Sequence, residues 1–473
     1  MDAAARMLKV DVTAAEAGVA TALGAGTLVL FQPAGVAMPL IYTSGAHRSE
    51  VAVADHLRRL RDSDGRLTHL VKDLEVDPEL TEGQGEAVRR AFASPVSVLT
   101  GGPGTGKTRT VLEIVRVAQE ADANVALCAP TGRAAKRMEE VTGHGATTIH
   151  RLLEARPMEG GGFIFARNED DPLPHDLIVA DEASMCDTRL AASLLRAVDD
   201  GAHLVLVGDP DQLPSVGSGD VLRDILVSHA VPHTALIEVH RQAAGSRIVT
   251  LAQEVNCGTI GPVAAADGDV FLAQDTNPTR MLARVVNAVA DRAESHLGVK
   301  PQDVQVLAPM YRGPVGVNAL NTALKERLNP AGSRKDVGGF HEGDRVMQTR
   351  NDPDRELSNG DIGRVADANL KKGILSVHFP SGAVEVDRQQ ARDLVLAWCV
   401  TVHKSQGGEW PVVVLVCDRT HGVMLWRNLV YTAITRAQKA LIIVGQAEAL
   451  RRAARQDGPR NRITGLQARL AES

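Results

Sequence analysis

Aromatic side chains are scarce: seven Phe, three Trp and three Tyr amount to 3% of 473 residues. Any site that stacks planar ligands must draw on a short set. The five cysteines (Cys128, Cys186, Cys257, Cys399, Cys417) are scattered, odd in number and never in a Cys-x-x-Cys pair. That argues against a disulfide framework and against a zinc site, and leaves them as small buried hydrophobes. No apolar run is long and charge-free enough to span a bilayer. The opening Met-Asp-Ala-Ala-Ala-Arg leads into no signal-type apolar core, so a cytoplasmic protein without membrane contact is expected. Positive charge is not in excess either, the formal net charge being −6. A nucleic-acid ligand is not thereby excluded, because a local basic groove decides binding.

What is present is a globular composition, 44% hydrophobic and 23% charged, on a chain too long for one core. Residues 1–76 read as a short, partly helical N-terminal segment, with a helical pattern over 49–61. From 77 to 240 short apolar strands (96–99, 124–129, 177–180, 204–207) alternate with helical patterns, as in a parallel sheet wrapped by helices with ligands at the carboxyl ends of its strands. A second unit of this kind covers 241–337 and resumes over 398–473. Between them, 338–397 is rich in Gly, Asp and Val with short alternating segments, the pattern of a small inserted β-barrel.

The strongest motif is Gly101-Gly102-Pro103-Gly104-Thr105-Gly106-Lys107-Thr108, directly after an apolar strand. It matches the phosphate-cradling loop of nucleoside triphosphatases in its strand–loop–helix context. Its backbone N–H groups can surround phosphate oxygens, Lys107 can reach the β- and γ-phosphates, and Thr108 can ligate Mg²⁺. The helix that follows, from Arg109, turns its positive end to the same phosphates. Residues 102–109 are therefore the expected ATP-binding set. Leu177-Ile-Val-Ala-Asp181-Glu182 is a strand ending in two acids: Asp181 would hold Mg²⁺, and Glu182 would polarise the attacking water. Without a phosphate loop upstream, such a pair would read as a helix cap. The next strand ends in Gly208-Asp-Pro-Asp-Gln212-Leu-Pro, where Gln212 can touch both the γ-phosphate and the water, or simply belong to a proline-stiffened turn.

Arg241, in Val239-His-Arg-Gln, and Arg436, in Tyr431-Thr-Ala-Ile-Thr-Arg436, stand beyond the first unit. An arginine reaching a γ-phosphate across a cleft contributes roughly 10³–10⁵ in rate. Taken singly, either one reads as a surface ion pair. The complete set of motifs changes that reading.

Gln84 in Leu80-Thr-Glu-Gly-Gln84, the phosphate loop, Ala129-Pro-Thr131-Gly-Arg133, Thr148-Ile-His150, Asp181-Glu-Ala-Ser, Gly208-Asp-Pro-Asp-Gln, Val239-His-Arg-Gln, Thr401-Val-His403-Lys-Ser405-Gln406-Gly-Gly-Glu409 and Leu429-Val-Tyr-Thr-Ala-Ile-Thr-Arg436 occur in order. This order is similar to that of superfamily 1 DNA helicases. Gly343-Asp-Arg-Val-Met-Gln348 and Asn359-Gly-Asp-Ile-Gly-Arg-Val365 resemble the SH3-like insertion of the RecD-like, 5′→3′ branch. The resemblance runs from about residue 80 to the end, including Arg460-Asn-Arg-Ile-Thr-Gly-Leu. It implies two RecA-like domains with ATP between them, and 5′→3′ movement on single-stranded DNA. It implies that Gln84 reads the adenine and that Gln406 and Glu409 lie at the cleft. Thr131, Arg133, Thr148, His150, Thr401, His403 and Ser405 would contact the strand or couple it to ATP. Partners so implied are single-stranded DNA, duplex junctions with a 5′ tail, and repair or recombination proteins.

A hairpin near 156–172 lies where RecD-like proteins carry a duplex-splitting element, and Phe163 and Phe165 share one face of it, suited to core packing or to a wedge. Tyr311, Phe340, Phe379, Trp398 and Trp410 are the aromatics available for base stacking. The long N-terminal domains of larger family members have no counterpart in the first 75 or so residues. An ATP-switched DNA-binding subunit of a nuclease complex therefore stands as the alternative. A small-molecule kinase would have no use for a second α/β unit with its own arginine.

Overall fold

Short apolar runs buried on both faces dictate parallel sheets covered by helices, and the computed structural model contains two. It describes residues 2–33, 38–158, 162–238, 245–263, 265–332, 336–458 and 462–471. The first sheet runs, in spatial order, His233–Leu236, Val96–Gly101, His203–Gly208, Leu177–Ala180, Val125–Ala129 and Ala146–Thr148, all parallel. The second runs Ala266–Asp267, Val270–Gln274, Ala437–Gly445, Trp410–Cys417, Val304–Ala308 and Cys399–Thr401, parallel except for its first pair. In both, the strands that matter for chemistry end at the cleft between the two units.

The insertion leaves after Val304–Ala308 and its following helix Val317–Leu328, and returns into Cys399–Thr401, the strand beside Val304–Ala308. It therefore departs and re-enters at one sheet edge without breaking the pairing. It is a five-stranded antiparallel sheet in the order Gly382–Asp387, Ile374–Phe379, Ile362–Asn369, Arg345–Gln348, Leu394–Leu396. Alternation along Ile374–Phe379 turns Leu375, Val377 and Phe379 inward onto Val346, Val365 and Val386.

Packing redistributes two pieces of chain relative to the expected boundaries. The helix Ser44–Arg61, capped by Thr43, presents Val53, Leu57 and Leu60 at helical spacing to the core of the first unit. The closing helix Leu466–Ala471, expected with the second unit, buries Leu466 and Leu470 in that same core. A hairpin of Leu28–Phe31 and Leu40–Thr43 precedes Ser44; the helical expectation for the first residues had not included it. Among the described residues no helix is long and apolar enough to cross a membrane.

Candidate functional site

The strand Val96–Gly101 delivers the chain into the glycine-rich loop, whose Gly104 and Gly106 take φ of 74° and 84°. A side chain would strain both positions. Thr105 Oγ1 donates to the Gly102 carbonyl at 2.9 Å, closing the loop on itself. The helix Lys107–Glu120 starts at once, with Gly106 as its cap residue. Lys107 Nζ donates to the carbonyls of Gly101 and Gly102, the latter at 3.1 Å, so its charge lies along the loop. Gln84 is buried; its Oε1 accepts from Thr81 N at 3.0 Å, and its Nε2 donates to the Thr105 carbonyl at 3.2 Å. It is thus packed against the loop's flank. Arg109 pairs with Asp77 at 3.0 Å and Glu79 at 2.8 Å on that side.

Asp181 and Glu182 follow the buried strand Leu177–Ala180, and Glu182 stands at φ 53°, a left-handed conformation rare for a side chain of this kind. Such strain concentrates at functional positions. Burial raises the carboxyl pKa of both residues; Arg436 pulls Glu182 back toward the charged form, and Lys107 and Arg137 do so for both. Arg436 is fully buried, and its Nη1 lies 3.9 Å from Glu182 Oε1 across the cleft. It is held by the carbonyls of Thr432 at 3.1 Å and Gly408 at 3.2 Å. Arg241 lies outside the described residues.

Gln212 is buried next to Asp209, to which its Nε2 donates at 3.4 Å, and its Oε1 is buried without a protein partner among the described residues. Tyr431 donates to Asp209 Oδ2 at 2.8 Å, and burial together with Asp209 holds its phenol far above the usual range, as a donor. A side-chain carbon at Gly102 would come within 3.2 Å of the same hydroxyl. Glu409 pairs with Arg137 and accepts from Gln438 at 3.2 Å. Burial would raise Glu409, but Arg137, together with Arg436 and Gln438, outweighs this and leaves it below the ordinary range. Arg137 and Tyr431 had no role in the sequence reading. Their cross-cleft contacts reveal what they do, although Tyr431 lies within the motif that ends in Arg436.

The residues expected at the strand divide by local role. Thr131, Thr148 and Thr401 are helix N-caps, accepting from Ala134 N at 3.3 Å, Arg151 N at 3.1 Å and Lys404 N at 3.3 Å. His150 packs its ring on Phe163 at 5.1 Å and Phe165 at 5.8 Å. Phe165 packs on the first core while Phe163 is exposed, so the two do not share one fate. The strands Ala155–Pro157 and Phe163–Phe165 form a short hairpin; residues 159–161 at its tip lie outside the described residues. Arg133 lies over the Trp410 ring at 4.7 Å, and burial lowers its pKa to about 10. Ser405 is buried and donates locally to the Val402 carbonyl at 2.7 Å, while Gln406 donates to the Leu213 carbonyl at 2.8 Å. Of the two, Gln406 bonds across the joint between the units.

The stacking expectation is corrected at four positions. Phe340, Phe379, Trp398 and Trp410 are buried: the two Phe fill the barrel core, and the two Trp pack in the cores of the second unit. Tyr311 is exposed. Trp426, which lies outside that set, is half-exposed, stands edge-on to His403 at 6.3 Å and lines with it a cavity of about 350 Å³ beneath the loop carrying Gln212 and Val216.

Comparison with known proteins agrees with this geometry. Family models match as an AAA domain over residues 84–218, an ATP-dependent RecD-like DNA helicase SH3 domain over 320–379 and a UvrD-like helicase C-terminal domain over 396–444. The chain is 40% identical over 386 residues to the ATP-dependent RecD2 DNA helicase of Deinococcus radiodurans, covering 81% of this chain but only 51% of that protein. It is 33% identical to the RecD subunit of the RecBCD enzyme of Mycolicibacterium smegmatis, covering 82% of this chain and 75% of that one. For the same subunit of Mycobacterium tuberculosis the values are 32%, 90% and 80%. A Bacteroides Pif1 helicase solved with ADP-AlF3 and single-stranded DNA aligns at 17% identity and a TM-score of 0.49 over 79% of this chain and 94% of that one, too distant to bear on residue roles. Taken with the cleft and its inserted barrel, the RecD relatives place the chain: it belongs to the RecD-like family of superfamily 1 DNA helicases.

Proposed function

We propose that the chain is an ATP-dependent DNA helicase or translocase that moves 5′→3′ on single-stranded DNA and couples Mg-ATP hydrolysis at the interdomain cleft to strand separation. The observation that carries this reading is the convergence, from both α/β units, of Lys107, Glu182, Gln212 and Arg436 on one cleft, with Arg436 Nη1 3.9 Å from Glu182. A nucleotide bound there touches both units, so its hydrolysis changes what holds them together. Gln84 and Arg109 flank the nucleoside side of the loop, and residues 102–108 supply amides and an ammonium for the phosphates.

The donor set fits Mg-ATP. Among the described residues no group of three or more potential ligands could hold a metal alone, so Thr108 and Asp181 would hold magnesium jointly with phosphate oxygens. Magnesium bound there neutralises phosphate charge. Glu182 takes the proton of the attacking water, Gln212 orients that water, and Arg436 stabilises the charge that develops on the transferred group. Arg241 is proposed as a second arginine of this set on its motif alone.

Thr131, Arg133, Thr148, His150, Thr401 and His403 line the proposed strand path. Trp426 offers the stacking surface, and Ser405 couples the path to the cleft. Phosphate contacts make affinity fall steeply with salt. The chain spans about half the length of the RecD2 relative. The likeness to RecBCD subunits supports the alternative, a motor subunit of a repair or nuclease complex with little unwinding of its own. Repair or recombination proteins are its proposed partners, and the cytoplasm its proposed compartment. The test is ATP hydrolysis by the isolated chain with and without single-stranded DNA, across a salt series. Stimulation by DNA that fades with salt is expected; hydrolysis indifferent to DNA contradicts the motor reading.

A further inference from the structure

The loop from Asp209 to Gly219 is held at its two halves by different parts of the molecule. Its leading half belongs to the second unit: Leu213 N donates to Thr432 Oγ1 at 2.8 Å, Gln406 Nε2 to the Leu213 carbonyl at 2.8 Å, and Asn428 Nδ2 to the Asp211 carbonyl at 2.8 Å. Its trailing half is held chiefly by one guanidinium. Arg462 Nη1 donates to the Gly219 carbonyl at 2.7 Å, to Ser215 Oγ at 3.2 Å and to the Gly217 carbonyl, while Nη2 donates to the Ser215 carbonyl. Between the two grips lies only Pro214, whose fixed φ makes the link stiff.

Arg462 is itself fastened to the first unit. Two residues on, Thr464 Oγ1 donates to Glu50 Oε2 at 3.0 Å and Gly465 N to Glu50 Oε1 at 3.1 Å. Gln467 Nε2 reaches Asp224 Oδ1 at 2.8 Å, Arg469 Nε reaches Glu50 Oε1 at 3.0 Å, and Leu466 and Leu470 are buried in the first core. Thr188 of the first unit also grips the loop, its N–H and hydroxyl both donating to the Ser218 carbonyl at 3.0 Å, but among the described contacts it does not reach Ser215, which Arg462 holds.

We propose that Arg462 is a positioning residue for the nucleotide-sensing loop. It pins Ser215 and Gly217 to the first unit, so that displacement of Leu213 by the second unit turns Gln212 instead of dragging the whole loop. An arginine suits this place because one planar fork of donors satisfies several acceptors in fixed geometry; a lysine would offer a single point charge. The proposal rests on the motor reading above and adds to it the element through which strand binding reaches the hydrolytic site.

The test uses the full chain carrying Arg462→Ala, Arg462→Lys or Gln467→Ala, the last removing one tie of the docked helix while the three bonds to Glu50 keep Arg462 fastened. Steady-state kcat and KM for ATP are measured without DNA and with saturating oligodeoxythymidylate, below the melting temperature of each variant. Arg462→Ala is expected to lose at least tenfold of the DNA-stimulated kcat, with KM for ATP within twofold of the parent. Arg462→Lys recovers part of the loss, and Gln467→Ala keeps the parent's stimulation. Stimulation of Arg462→Ala within threefold of the parent overturns the proposal. So does a parallel loss in Arg462→Ala and Gln467→Ala that tracks melting temperature. Should Arg462→Ala not fold, a loss of threefold or more in Arg462→Lys supports the proposal and a smaller one overturns it. A parent chain that DNA does not stimulate would instead refute the motor reading, a separate and prior failure.

Discussion

Tyr431 donates its phenolic hydrogen to Asp209 Oδ2 at 2.8 Å, so a helix of the second α/β unit is bonded to the carboxylate that ends a central strand of the first. Both groups are buried, and burial raises the pKa of each. Removing the donor leaves a desolvated carboxylate short of one partner, a loss of about 1–3 kcal/mol. Tyr431→Phe is therefore expected to lower the DNA-stimulated kcat by about tenfold, since 1.4 kcal/mol is a factor of ten. Steady-state kinetics checks this, and an unchanged kcat contradicts a role for the contact in closing the cleft.

Arg137 and Glu409 form a second bond across the cleft, close to Asp181 and Glu182. Glu409 was expected at the cleft from its motif, and its partner identifies what it does there. Groups in direct contact are non-additive, with coupling of about 0.5–3 kcal/mol. A double-mutant cycle on Arg137→Ala and Glu409→Gln, read in kcat/KM for ATP, should show the pair losing less than the sum of its members. Strict additivity would mean that the two side chains act separately.

Trp426 and Trp410 separate stacking from packing. Trp426 stands beside His403 at a cavity, whereas Trp410 is buried under Arg133. Trp426→Ala should weaken oligonucleotide binding by about 1–3 kcal/mol. Trp410→Ala should instead lower the melting temperature, as large-to-small core changes of about 3–5 kcal/mol do. Fluorescence anisotropy and thermal melting of both variants check this, and the reverse pattern contradicts it.

How much of this could be read from the chain follows from which interactions are local. The phosphate loop, the acid pair after Leu177–Ala180 and the parallel sheets rest on contiguous patterns, and their positions were legible within a residue or two. Gln84, Thr131, Thr148 and Thr401 were legible as positions, because each belongs to a motif, but their cap and loop bonds were not. The aromatics misled because a Trp in an apolar strand looks the same whether it packs inward or stacks a base. Arg137 lay outside the quoted motifs, and Tyr431 and Arg462 lay inside them without a role, since each acts on a partner far away in sequence: Glu409, Asp209 and Ser215 respectively. The docking of Leu466–Ala471 on the first unit is likewise a tertiary fact.

Asp224 links that docked helix to pH. It is buried, accepts from Gln467, and burial pushes its pKa up from 3.8 to about 6. A raised carboxyl pKa means the folded state holds the proton more tightly than the unfolded state. Its charge therefore destabilises the fold fully above about pH 6, and the penalty disappears as pH falls to about 4. A shift of this size corresponds to roughly 3 kcal/mol. Asp224→Asn, which keeps an acceptor for Gln467, should raise the melting temperature at pH 7.5 and match the parent near pH 4. A difference that grows toward acid would contradict the assignment.

The central claim, that hydrolysis at this cleft drives directional strand separation, is tested most directly by unwinding of matched duplexes bearing a 5′ or a 3′ single-stranded tail, with ATP, beside a Lys107→Ala control. The account predicts unwinding from the 5′ tail alone, abolished in the control. Unwinding from the 3′ tail, or unwinding that survives Lys107→Ala, would contradict it.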